Sequence, residues 1–134
     1  MTGEYVLDGL AVPQSLNELH DLLERVGAEH PELTESDLML FETAVIEVAG
    51  NVVEHGRPPG EVRWAFRLQV HPDRLEARLS DGGQEYPGGT WGTEMPDSMD
   101  EDGRGLALAD AVLHSLTYQR SDDANHWTMV RRYG

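Results

Sequence analysis

The stretch Leu38–Gly56, LMLFETAVIEVAGNVVEHG, decides how the rest of the chain is read. Leu38, Phe41, Val45, Val48 and Val52 recur at helical spacing and form one core-facing stripe on a long helix. Glu47, Asn51 and His55 lie beside that stripe, each four residues from the next. Four residues is about one turn, so a carboxylate, an amide and an imidazole stack along nearly one line. Gly50 sits among them. A glycine inside a helix costs roughly 1 kcal/mol against alanine, which suggests a close approach to the backbone there.

Working outward, Glu4 to Val12 reads as a strand and Pro13 as a turn. A helix then runs from Gln14 or Ser15 to about Val26, with Gly27 as its stop. Thr34 and Asp37 resemble a capping box that opens the long helix, and Gly56 closes it. Glu61–Val70 and Arg74–Ser80 alternate apolar and polar residues around the turn His71-Pro72-Asp73, so they read as an antiparallel hairpin. Leu106 to His114 is helical. Leu116–Arg120 and His126–Arg132 form a closing strand pair. Between Asp81 and Gly105 all periodicity vanishes, and a structureless run of that length reads as a functional lid or as a disordered segment. The order β-α-α-β-β-lid-α-β-β predicts an α+β sandwich, a mostly antiparallel sheet with three helices on one face.

Composition narrows the function classes. The 134 residues suit one domain with a proper core, and a mean hydropathy of −0.49 fits a globular chain. No membrane-span run or signal-peptide pattern is legible, so the chain reads as cytoplasmic, with no membrane partner. A net charge of −15 repels phosphate backbones and argues against direct nucleic-acid binding. There is no cysteine, and His20, His30, His71, His114 and His126 share no metal-ligand spacing, so no zinc is assigned.

Three loci carry chemistry, each with an ordinary alternative. Glu47, Asn51 and His55 are a solvated helix edge, or Asn51 is a neutral oxygen ligand for Mg²⁺ with Glu47 poised to activate a hydroxyl. Asp81-Gly82-Gly83 is a turn, or Asp81 accepts the exocyclic amine of adenine while the glycines let the base lie against the backbone. Gly103-Arg104-Gly105-Leu106 is a helix start, or its free N–H groups and Arg104 hold phosphate. It is neither a dinucleotide fingerprint nor a P-loop. Trp64, Phe66 and Trp127 read as sheet core, whereas Tyr86 and Trp91 in the lid suit a partner surface.

In order, interval and placement these loci resemble the N, G1 and G2 boxes of the GHKL ATPases. The run Glu47-Val48-Ala49-Gly50-Asn51-Val52-Val53-Glu54-His55-Gly56 looks most like the stand-alone anti-sigma factor serine/threonine kinases. The resemblance implies a Bergerat two-layer sandwich over residues 1–134, with an ATP lid at about 84–104, binding ATP and Mg²⁺. It implies Glu47 as general base and Asn51 as the magnesium ligand. It also implies that His55, Asp81, Gly83, Gly103, Arg104, Gly105 and Leu106 hold the nucleotide. The implied activity is phosphorylation of an antagonist protein by an anti-sigma, partner-switching regulator of transcription. A sigma factor is a second partner, and relatives of this kind are often homodimers. Gly50, Val52 in place of the usual alanine, and the acidic run Asp97, Asp100, Glu101, Asp102 depart from the family pattern. The runner-up reading is an ATP-binding interaction module without kinase activity, and the departures at Gly50 and the acidic lid keep open a third, a domain that binds protein alone.

Overall fold

Apolar residues at every second position of Arg63–Val70 (β2) and Arg74–Asp81 (β3) force one face of each strand inward. Trp64, Phe66, Leu68 and Val70 are buried from β2, and Leu75, Ala77 and Leu79 from β3, while the intervening residues are more exposed. The computed structural model describes residues 3–56, 58, 60–85 and 101–133, with the backbone alone for 101–104. In it, Gly3–Leu10 (β1), Ser115–Ser121 (β4) and Ala124–Arg132 (β5) complete a five-stranded sheet of order β1-β2-β3-β5-β4. Every pairing is antiparallel. Most of the lid expected at about 84–104, with Tyr86 and Trp91, lies outside the described residues.

Three helices, Pro13–Glu29 (α1), Glu35–His55 (α2) and Glu101–Val112 (α3), cover the apolar face. The middle one, α2, buries Phe41, Ala44, Val45, Val48, Ala49, Asn51 and Val52. Its start is fixed as the sequence suggests: the Thr34 hydroxyl accepts from the Asp37 N–H at 3.0 Å. Arg131 of β5 then clamps two helices at once. Its guanidinium meets Asp37 Oδ1 at 2.9 Å and donates to the Val112 carbonyl at the end of α3 at 2.6 Å. Arg131 thus ties the first turn of α2 and the last residue of α3 to β5. No helix among the described residues is long and apolar enough to cross a membrane.

Two glycine readings change and a third is refined. Gly27 does not stop α1, which continues to Glu29. A Cβ there would come 2.6 Å from Leu38 Cδ2, so the small residue serves the contact between α1 and α2. Gly56 closes α2 as expected, but with an ordinary φ of −62° and not a left-handed one. It is instead tight, since a Cβ would lie 2.7 Å from the Val52 carbonyl oxygen. Gly50, expected to mark a close approach, has nothing within 4 Å of a Cβ position. The hairpin β4–β5 turns at Asp122 and Asp123, at φ 54° and 61°, which matches the twist of a two-residue hairpin loop.

β1 is stapled to the end of α1. The buried Tyr5 hydroxyl donates to Glu29 Oε1, and Arg25 sits over the ring, 5.1 Å from its centroid. Burial first, then the hydrogen bond to Glu29, pushes the Tyr5 phenol up to about 12. A raised folded-state value means stability that is full below the unfolded value of 10.0 and is lost as pH rises toward about 12. Urea midpoints measured from pH 9 to pH 12 are expected to fall less steeply in Tyr5→Phe than in the native chain. The glycines give a second test in the same assay. Gly50→Ala should stabilise by about 0.5–1 kcal/mol, from helix propensity and a less free unfolded chain. Gly56→Ala should destabilise by about 1–3 kcal/mol, because backbone must move.

Candidate functional site

Helical geometry places Asn51 on the border of the buried stripe of α2, and the side chain is 5% exposed. Its Nδ2 donates to the Glu47 carbonyl one turn back, at 2.8 Å. Its Oδ1 is buried and has no hydrogen-bond partner among the described residues. Leaving such an oxygen unpaired costs about 1–3 kcal/mol, so the group needs a reason to be there. It lines an open cleft between the C-terminal end of α2 and the end of β3.

The opposite wall comes from the sheet. Asp81 is the last residue of β3 and is 4% exposed. Its Oδ1 accepts from the Gly83 N–H at 3.0 Å and from Asn125 Nδ2 at 2.9 Å. Both bonds fall on one oxygen, which leaves Oδ2 as an acceptor toward the cleft among the described residues. Gly83 is held tightly, since a Cβ there would lie 3.1 Å from Asp81 Oδ1 and 3.3 Å from Val62. His55 and Gly56 at the end of α2, with Gln84 and Glu85 beyond β3, complete the rim, and Gln84 Nε2 donates to the His55 carbonyl at 3.3 Å.

Glu47 and the glycine run form a second group, one turn along α2. A Cβ on Gly105 would sit 2.3 Å from Glu47 Oε2. The absence of a side chain on α3 is what lets that carboxylate pass. Here the structure corrects the expected helix start: α3 begins at Glu101 and not at Gly105. Gly103 is thus its third residue and Gly105 its fifth. The free N–H groups of a helix run from the N-cap to its third residue, so Gly103 keeps its own while Arg104 and Gly105 lie inside the ladder. Acidic Glu101 and Asp102 favour a first turn, which offsets the poor propensity of the two glycines. The Arg104 side chain lies outside the described residues. Leu106 is fully buried in the core, so its side chain is not available to a ligand.

One contributor escapes a sequence reading that starts β5 at His126: Asn125 lines the cleft and is nearly fully buried. Trp127, read as sheet core, is buried as expected and also lines the cleft. Asn125, Trp127 and Met129 alternate on the inward face of β5. A polar residue at an inward position of that alternation was the available signal.

The residues fit a magnesium-bound nucleotide. Asn51 Oδ1 is a hard, neutral, unpaired oxygen at the cleft wall. Magnesium takes few protein ligands and fills its shell with water and phosphate oxygens. Among the described residues no cluster of three or more His, Asp or Glu could hold a metal unaided.

Comparison with known proteins supplies the family. A model of the histidine kinase-like ATPase domain matches residues 10–131. The serine/threonine-protein kinase BtrW of Bordetella bronchiseptica is 34% identical over 90 residues, covering 63% of this chain and 63% of that one. The chain thus spans less than two thirds of that relative's length. The mycobacterial sensor histidine kinase MprB superposes with a TM-score of 0.56 over 96% of this chain and 97% of its own, at 19% identity, which shows a shared fold. From Leu10 to Arg131, across both walls of the cleft, this protein belongs to the histidine kinase-like ATPase domain family.

Proposed function

We propose that this chain is an ATP-dependent serine/threonine protein kinase that phosphorylates an antagonist protein, as an anti-sigma, partner-switching regulator of transcription in the cytoplasm. The observation that carries it is the unpaired Asn51 Oδ1 in the same cleft as Asp81. The likeness to BtrW, whose name describes a serine/threonine-protein kinase, supports the reaction class. In this reading residues 1–134 act as one unit closed by a lid at about 84–104. A sigma factor is the second partner and a homodimer the working assembly.

Each role follows from a position. Asp81 Oδ2 accepts the exocyclic amine of adenine, and the inward-facing Trp127 supplies apolar contact for the base. Asn51 Oδ1 takes one position on magnesium, which when bound neutralises phosphate charge and orients the terminal phosphoryl group. The backbone N–H group of Gly103, at the positive end of α3 and next to Arg104, serves anionic oxygens. Glu47 stands one turn from Asn51 and accepts the proton of the attacking serine or threonine hydroxyl. Gly105 keeps room for that carboxylate. His55 lines the cleft rim near the end of α2.

Calorimetry and transfer of labelled γ-phosphate to the antagonist protein test the reading together. Asn51→Ala should lower Mg-ATP affinity at least about tenfold while the melting temperature holds or rises, because the substitution removes an unpaired buried oxygen. Glu47→Gln should bind Mg-ATP within about threefold of the native chain and lose phosphate transfer by about a hundredfold or more. Mg-ATP binding by the native chain with no transfer to any antagonist would instead support an ATP-gated interaction module. Gly105→Ala should fold, bind nucleotide and transfer phosphate about tenfold more slowly or worse, since its methyl group displaces the Glu47 carboxylate.

A further inference from the structure

The chain has ten arginines, no lysine and 25 carboxylates. Arg120, in β4, is committed to uncharged oxygens among the described residues. Its Nη1 donates to the Gly83 carbonyl at 2.7 Å and to Asn125 Oδ1 at 3.2 Å. The Tyr118 hydroxyl, two residues back on the same strand, donates to the same Asn125 Oδ1. With its oxygen claimed by two donors, Asn125 must turn its nitrogen the other way. There Nδ2 donates to Asp81 Oδ1 at 2.9 Å and to the Gln84 carbonyl at 2.8 Å. The register supports this path, because Asp81 pairs with Asn125 and Asn125 pairs with Arg120 across three adjacent strands. The chain of donors and acceptors has one direction and involves only one rotamer of each side chain.

We infer that Tyr118, Arg120 and Asn125 are positioning residues that set base specificity, holding Asp81 so that Oδ2 meets the exocyclic amine of a purine. This rests on the cleft being an adenine-nucleotide site and adds to it a source of selectivity on the β4–β5 hairpin. The brace works by subtraction. The Gly83 and Asn125 N–H groups occupy Oδ1, so the one acceptor left to a ligand is Oδ2, at a fixed place. Arg120 fixes the neighbouring loop by its carbonyl at Gly83, and Asn125 fixes it again at Gln84. The pocket thereby keeps its shape between the last residue of β3 and the first residues after it. A buried acceptor held in place discriminates strongly against a ligand that brings no donor, because the acceptor is then left unpaired.

The test compares Mg-ATP with the magnesium complex of purine-riboside triphosphate, which lacks only the exocyclic amine, by titration calorimetry on the full chain. The native chain should prefer ATP by about tenfold or more. In Asn125→Ala and Arg120→Met that preference should shrink to within about threefold, and in Tyr118→Phe it should fall part of the way. A merely structural role would weaken both nucleotides by the same factor and leave the preference intact. An unchanged preference in Asn125→Ala and Arg120→Met overturns the inference, whatever the absolute affinities. Should Asn125→Ala not fold, Arg120→Met and Tyr118→Phe carry the comparison. Failure of the native chain to bind either nucleotide would overturn the reading of the cleft itself, a result distinct from an unchanged preference.

Discussion

One amide sets the terms for this molecule. Asn51 uses its nitrogen inside its own helix, on the Glu47 carbonyl, and so presents at the cleft wall an oxygen with no partner among the described residues. The side chain cannot escape to solvent, because the apolar stripe of α2 holds the helix down on the sheet with Phe41, Val45, Val48 and Val52 buried. An unpaired oxygen in that place weakens the folded state, and the hydrophobic burial around it offsets the loss. The same packing that makes the core therefore also prepares a polar atom to receive something from outside. That is the arrangement expected of a binding group whose partner arrives with the ligand.

The opposite wall is made by different means. Asp81 ends a strand and is placed by cross-strand register, not by helical spacing. Its surroundings are a small polar network drawn from β4 and β5, with every described member bonded to another. Such networks are costly when half satisfied and rigid when complete. The cleft thus joins an apolar-anchored helix to a hydrogen-bonded strand end, and its width follows from how α2 lies on the sheet. Arg131 controls that seating from the far end, where it holds the start of α2 and the last carbonyl of α3. Arg120 and Arg131, both near the sheet's closing hairpin, spend their charge joining elements in a chain that is otherwise strongly acidic.

Most elements were legible from the chain because each declares its own period. The inward residues of β2 and β3 repeat every two positions, and those of α2 every three or four, so element type and order follow from local pattern. Thr34 and Asp37 mark the start of α2 by local chemistry alone. The loci at Asn51 and Asp81 were legible because a polar residue on an apolar border is itself a signal. Glycines were the poorest guide. Gly27, Gly50 and Gly105 look alike as letters, yet one accommodates a neighbouring leucine, one faces open space and one makes way for a carboxylate. Whether a missing side chain matters depends on what lies opposite it.

The sequence alone determined the α+β order and the core stripe of α2, and it singled out Asn51 and Asp81, since these depend on spacing of a few residues along one segment. Only the tertiary structure decided that Asn51 keeps an unpaired oxygen, that Asn125 joins Asp81, that Arg120 grips the Gly83 carbonyl, and that α3 starts at Glu101. Those facts turn on contacts between residues tens of positions apart, where strand register and helix seating fix distances that no local period encodes.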